Sequence, residues 1–125
     1  MSRKRILSVS LHTVLLSLRA TMLQERGYEV ISIVGNATEQ CERGGFDLFV
    51  IGHSVPEAEV DEMIGAWRRG CDAPIVFVLR NGNREREGGH HYVNSLDPDE
   101  LVETVTTILG DKPGTEGMIP SELRD

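Results

Sequence analysis

Hydrophobic positions along the chain fall into two alternating kinds of run. Ile6, Leu7 and Val9, then Glu29 to Val34, Leu48 to Ile51 and Pro74 to Leu79, are short β-branched or continuously apolar stretches, the pattern of strands covered on both faces. Between them the apolar positions take helical spacing: Leu15, Leu18 and Met22 up to a stop at Gly27, and Val60, Met63, Ile64 and Trp67 before Gly70. Asn36, with Glu39 three residues on, has the look of a capping box and predicts a second helix ending near Gly44-Gly45. A short strand near His91 to Val93 precedes Asp97-Pro98-Asp99-Glu100, where Asp97 can cap, Pro98 suits the first helical position and Glu100 completes a box. Leu101, Val102, Val105, Ile108 and Leu109 then form the buried stripe of a last helix. Strand and helix in alternation, with the strands buried, predict an α/β fold: a parallel sheet with helices on both faces.

Two segments stand outside this pattern. Arg80 to Gly89 is polar, glycine-flanked and without an apolar face, and holds at most a helical turn or two. From Gly110 onward Pro113, Gly114, Gly117 and Pro120 lie among charges, which reads as a flexible tail. The organisation expected is one domain over residues 1–110 and a tail over 111–125.

Composition narrows the function classes. A chain of 125 residues is long enough to bury one core without disulfides or metals. A net charge of -7 disfavours phosphate backbones and anionic lipid, so neither nucleic acid nor a membrane is an expected partner. Cys41 and Cys71 lie in separate segments without CxxC or Cys/His spacing, as free thiols of a reducing cytoplasm do. Arg3-Lys4-Arg5 and the run Ile6 to Leu18 imitate a secretory signal, but Ser8, Ser10, His12 and Thr13 interrupt the run and no small-residue cleavage site follows. No stretch is long enough to span a membrane, and the expected localisation is cytoplasmic.

Gly27-Tyr28-Glu29-Val30, the segment Asp47 to Pro56, Pro74-Ile75-Val76-Phe77-Val78 and Asp97-Pro98-Asp99-Glu100-Leu101 together resemble the receiver domains of two-component response regulators, a phosphorelay signal-transduction family. The resemblance covers about residues 4 to 110, in order and in spacing. It implies a flavodoxin-like, doubly wound five-stranded sheet of order 2-1-3-4-5. The helix between the fourth and fifth strands is expected to be shortened or missing, so the face where the family docks outputs or dimerises does not carry over.

Receiver chemistry uses a carboxylate nucleophile at the end of the third strand, an acidic pair after the first for a divalent cation, a Ser/Thr after the fourth and a Lys after the fifth. A hard cation requires oxygen ligands, and the Lys neutralises developing phosphoryl charge. On this sequence the acidic pair falls on Ser10 and Leu11, the phosphoacceptor on Gly52, the hydroxyl on Leu79 and the Lys on Asn94, or on Ser95 with a slip of one. All of these groups are lost. Asp47 lies at the wrong end of its strand and Asp61 beyond the loop, so neither replaces the acceptor. The resemblance therefore implies a pseudo-receiver, with no enzyme activity, cofactor or metal, that binds another signalling protein, a second copy of the chain being the open alternative.

His12 and His53 both follow strand ends that adjoin at the carboxyl edge of such a sheet, where open α/β sheets bind ligands. With Ser10 and Ser54 nearby they outline a small polar pocket in place of the phosphorylation site. The rival function is thus a small-molecule or metal-binding regulatory domain using that crevice. Two histidines without a third ligand make a poor zinc site, and the absence of a Gly-x-Ser-x-Gly elbow or an orienting carboxylate argues against a hydrolase. His90-His91 are expected at the opposite edge, Gly44-Gly45 and Gly88-Gly89 in turns, Arg68-Arg69 and Arg84 to Glu87 as solvated charge, and Trp67 in the core.

Overall fold

A computed structural model describes residues 3–80, 90–95 and 97–110. The elements run β1 (Arg5–Ser10), α1 (Thr13–Glu25), β2 (Glu29–Val34), α2 (Thr38–Arg43), β3 (Leu48–Ile51), α3 (Glu57–Gly70), β4 (Ile75–Leu79), β5 (His91–Asn94) and α4 (Pro98–Leu109). The five strands are parallel in the order β2-β1-β3-β4-β5. Residues 81–89, where the shortened helix was expected, and the tail 111–125 lie outside the described residues.

Each strand contributes alternate side chains to two cores, because successive residues point to opposite faces of the sheet. Leu7, Val9, Phe49, Ile51, Ile75 and Phe77 pack with α2 and α3, whereas Ile6, Leu48, Val50, Val76, Val78 and Val93 pack with α1 and α4. Trp67 anchors the first of these. It is fully buried, its ring centroid lies 4.7 Å from that of Phe49, and its Nε1–H donates to the Ala73 carbonyl at 3.0 Å. On the other side Tyr28 is buried and its hydroxyl donates to the Gly110 carbonyl at 2.7 Å, tying the start of β2 to the end of α4.

Local signals act as expected at some helix ends and differently at others. Asp97 caps α4, its Oδ1 accepting the Glu100 N–H at 3.2 Å, but Glu100 reaches back past the cap to accept the Asn94 N–H at 3.0 Å. Asn36 does not form the expected box. Its Oδ1 accepts the Thr38 N–H at 2.8 Å, while Glu39 pairs with Arg43 at 2.9 Å. Gly44 and Gly45 take left-handed φ values of 73° and 88°, consistent with their reading as turn residues.

The buried face of α1 also differs from the expected one. Leu16, Arg19 and Leu23 face the sheet, and Leu18 is exposed. Cys41 and Cys71 are free thiols. Burial, with Glu42 beside it, pushes the Cys41 thiol up to about 12, so it stays protonated.

Trp67→Ala should cost roughly 3–5 kcal/mol, the range for emptying a large aromatic from a tight core. Urea unfolding followed by far-UV circular dichroism measures this; a loss below about 1 kcal/mol would show that the α3 face is not held by this ring.

Candidate functional site

The sheet order brings the carboxyl ends of its strands into one row. Ser10 ends β1, Gly52 follows β3 with its N–H donating to the Val9 carbonyl at 2.8 Å, and Leu79 lies opposite Asn94 in the β4–β5 register. Ser95 N–H donates to the Leu79 carbonyl at 2.7 Å. The positions singled out in the sequence, Ser10, Leu11, Gly52, Leu79 and Asn94, therefore share the carboxyl edge. Asp47 does not: it sits at the amino end of β3, where its Oδ2 accepts the Arg5 N–H at 2.8 Å.

Two serine hydroxyls close the gap between the turns that leave β1 and β3. Ser54 Oγ accepts the Leu11 N–H at 2.9 Å, Ser10 Oγ accepts the His12 N–H at 2.9 Å, and the two oxygens are 3.2 Å apart. The His12 and His53 rings approach edge to face with centroids 6.0 Å apart. The structure thus brings Ser10 to Ser54 and His12 to His53. Among the described residues, however, neither imidazole bonds either hydroxyl, so the cluster lacks the contact that would activate a nucleophile. No group of three or more His, Cys, Asp or Glu among the described residues is placed to hold a metal ion. His91 starts β5, at the far edge of the sheet from His12, and the His90 ring packs edge-on to Phe77 at 5.1 Å.

The residue at this edge that sequence reasoning missed is Arg19. It lies on the sheet-facing stripe of α1 between Leu16 and Leu23 and is 5% exposed. Its Nη1 is buried and has no hydrogen-bond partner among the described residues. A Cβ placed on Gly52 would lie 3.0 Å from that Nη1 and 3.1 Å from both Cβ and Oγ of Ser10. The guanidinium therefore stands against the end of β3. Burying an ion without a partner costs on the order of several kcal/mol, and the same desolvation lowers the Arg19 pKa, although a guanidinium remains charged at neutral pH.

This geometry decides what the crevice can hold. A divalent cation of the kind receiver chemistry uses requires carboxylate or other oxygen ligands; Ser10, Leu11 and Gly52 supply no carboxylate, and a fixed positive charge stands beside Gly52. The residues present do not fit such a cation. His53 responds in the same sense: burial first, then the positive charges of Arg19, Arg80 and His12, hold its pKa below the ordinary value of 6.5.

No protein-family model matches the chain, and no curated protein matches it in sequence. Among solved structures it is similar to the receiver domain of the hybrid histidine kinase CckA, at 26% identity over 84% of this chain and 98% of that one, with a TM-score of 0.68. It is also similar to the receiver domain of a sensor histidine kinase from Pseudomonas aeruginosa, at 23% identity, 87% and 99% coverage and a TM-score of 0.73; that structure has a magnesium ion coordinated in its active-site cleft. For chemotaxis protein CheY4 of Vibrio cholerae the values are 15%, 86% and 99%, and 0.69. The chain has the receiver-domain fold of two-component response regulators. No described helix is long and apolar enough to cross a membrane.

Because the folded-state pKa of His53 is depressed, its contribution to stability is complete above 6.5 and is lost as the pH falls below that value toward the folded-state pKa. The thermal midpoint of the native chain should therefore drop more than that of His53→Gln on acidification from about pH 8 to about pH 5. Parallel midpoint curves for the two proteins would remove His53 as a pH-sensitive group.

Proposed function

We propose that this domain is a pseudo-receiver: a signalling module that keeps the receiver fold, takes no phosphoryl group at the end of β3, performs no catalytic step and acts by binding another protein. The observation that carries this reading is the Arg19 guanidinium packed against Gly52, where a receiver needs a carboxylate and its cation. Ser10, Leu11, Leu79 and Asn94 are then the remaining degenerate positions of the same site. Without a nucleophile at position 52, an aspartyl phosphate cannot form there.

Protein binding is supported by the surface beside this edge. Leu11, Val14 and Leu18 are exposed, Val14 by 74%, and Val14 and Leu18 lie one helical turn apart on α1, Leu18 also bordering the space between α1 and α4. The only other large apolar side chain exposed among the described residues is Val34. A solvent-facing apolar stripe on a helix is a natural contact for a partner in the same pathway, and a second copy of the chain remains an outcome that light scattering would reveal. The free thiols of Cys41 and Cys71 suit a reducing cytoplasm.

Incubation with phosphoramidate and Mg²⁺ should leave the intact mass unchanged; one added phosphate would refute the reading. Gly52→Asp should also stay unmodified, because the new carboxylate would meet Arg19 Nη1 and would still lack the acidic pair. Phosphorylation of that single variant would show that the guanidinium does not displace the cation.

A further inference from the structure

Arg19 also borders a cavity. Between α1 and α4, at the carboxyl edge of the sheet, a space of about 240 Å³ is lined by Leu15, Leu18, Val78 and Leu101, with Arg19 among its walls and Asn94, Ser95 and Asp97 on the α4 side. We propose that this cavity binds a small monocarboxylic acid, its carboxylate paired with Arg19 and its short apolar body against the leucines and Val78. The inference rests on the reading that no aspartyl phosphate or divalent cation occupies the end of β3.

Three observations select this ligand class. The first is a buried cation at the cavity wall: Arg19 is 5% exposed and lines the space, and its Nη1, on the Gly52 side, finds no acceptor among the described residues. Buried charges in folded proteins are normally paired, and a carboxylate matches the guanidinium fork. Second, the volume corresponds to about eight waters of about 30 Å³ each, enough for a handful of carbons and a carboxylate, and the apolar walls favour carbon over water.

Charge supplies the third, because in a chain of net charge -7 the positive groups Arg19 and Arg80 gather with His12 and His53 at this edge. Asp97 tempers that field. Its Oδ1 is already engaged with the Glu100 N–H, but its negative charge at the cavity wall disfavours a dianion such as phosphate relative to a monocarboxylate.

Calorimetric and thermal-shift titrations of the full chain with butyrate, benzoate, inorganic phosphate and chloride at matched ionic strength test this. Butyrate and benzoate should bind saturably with a Kd on the order of 1 mM, as ligands of roughly six to nine heavy atoms permit, while phosphate and chloride leave the midpoint unchanged. Arg19→Met, which removes an unpaired buried charge and so should fold at least as stably, should lose tenfold or more in affinity. In the native protein, amide chemical shifts should move at Ser95 and along α1, a readout that stands even if the variant fails to fold. No saturable carboxylate binding, undiminished binding to Arg19→Met, phosphate binding as tight as butyrate, or shifts confined to other elements would each overturn the inference. A phosphate adduct in the phosphoramidate experiment would instead overturn the pseudo-receiver reading; an unchanged mass with no carboxylate binding would remove the inference alone.

Discussion

Position 52, at the carboxyl end of β3, is crowded from two sides. Arg19 Nη1 stands 3.0 Å from where a side chain at position 52 would begin, and Ser10 closes the other side at 3.1 Å. A glycine there lets the guanidinium approach the backbone; any larger residue would have to push back the end of a flexible side chain on one flank and the body of Ser10 on the other. Position 19 and position 52 are therefore one feature. Neither Gly52 nor the buried arginine can be understood alone: an aspartate at 52 would supply the counter-ion that Arg19 lacks among the described residues, and a divalent cation would be repelled by it.

Arg19 is also part of the packing of α1 on the sheet. Its aliphatic stem lies on the stripe between Leu16 and Leu23, so α1 keeps an apolar contact with the sheet while the charged head reaches the edge. Ser8 shares that face of β1, buried and with its Oγ also unpartnered among the described residues. Polarity in the layer beneath α1 is thus not confined to a single residue.

Much of the fold was legible because its strands are continuous apolar runs that nothing else in the chain imitates. Leu48 to Ile51 and Ile75 to Leu79 emerge almost residue for residue, and Val60, Met63 and Trp67 mark a single face of α3. Asp97 announced α4 through a cap that the structure retains. The first helix was legible only as a helix. Val14, Leu15, Leu16 and Leu18 surround its amino-terminal half, so the spacing 15, 18, 22 is as good a stripe on paper as 16, 19, 23, and an arginine on the second made the first look better. The choice between them is made by the sheet, which a periodicity argument does not contain. The crevice was half legible for the same reason: Ser10, His12, His53 and Ser54 follow strand ends and could be placed by topology, whereas Arg19 enters from the middle of a helix.

Backbone electrostatics at this edge favour negative charge over positive. Both α1 and α3 begin there, after β1 and β3, and each helix amino terminus carries a partial positive charge with unpaired N–H groups. A cation site at such a place depends on clustered acidic side chains to reverse the sign of the local field. On α3, Glu57 and Glu59 offset the helix dipole in the first turn, but α1 has no acidic residue in its first turn and no side-chain cap from His12. With the carboxylate positions occupied by Ser10, Leu11 and Gly52, the unmodified polarity of the α1 terminus remains, and Arg19 adds a full charge of the same sign. At the ends of β1 and β3 the side chains and the α1 terminus thus point the local field the same way.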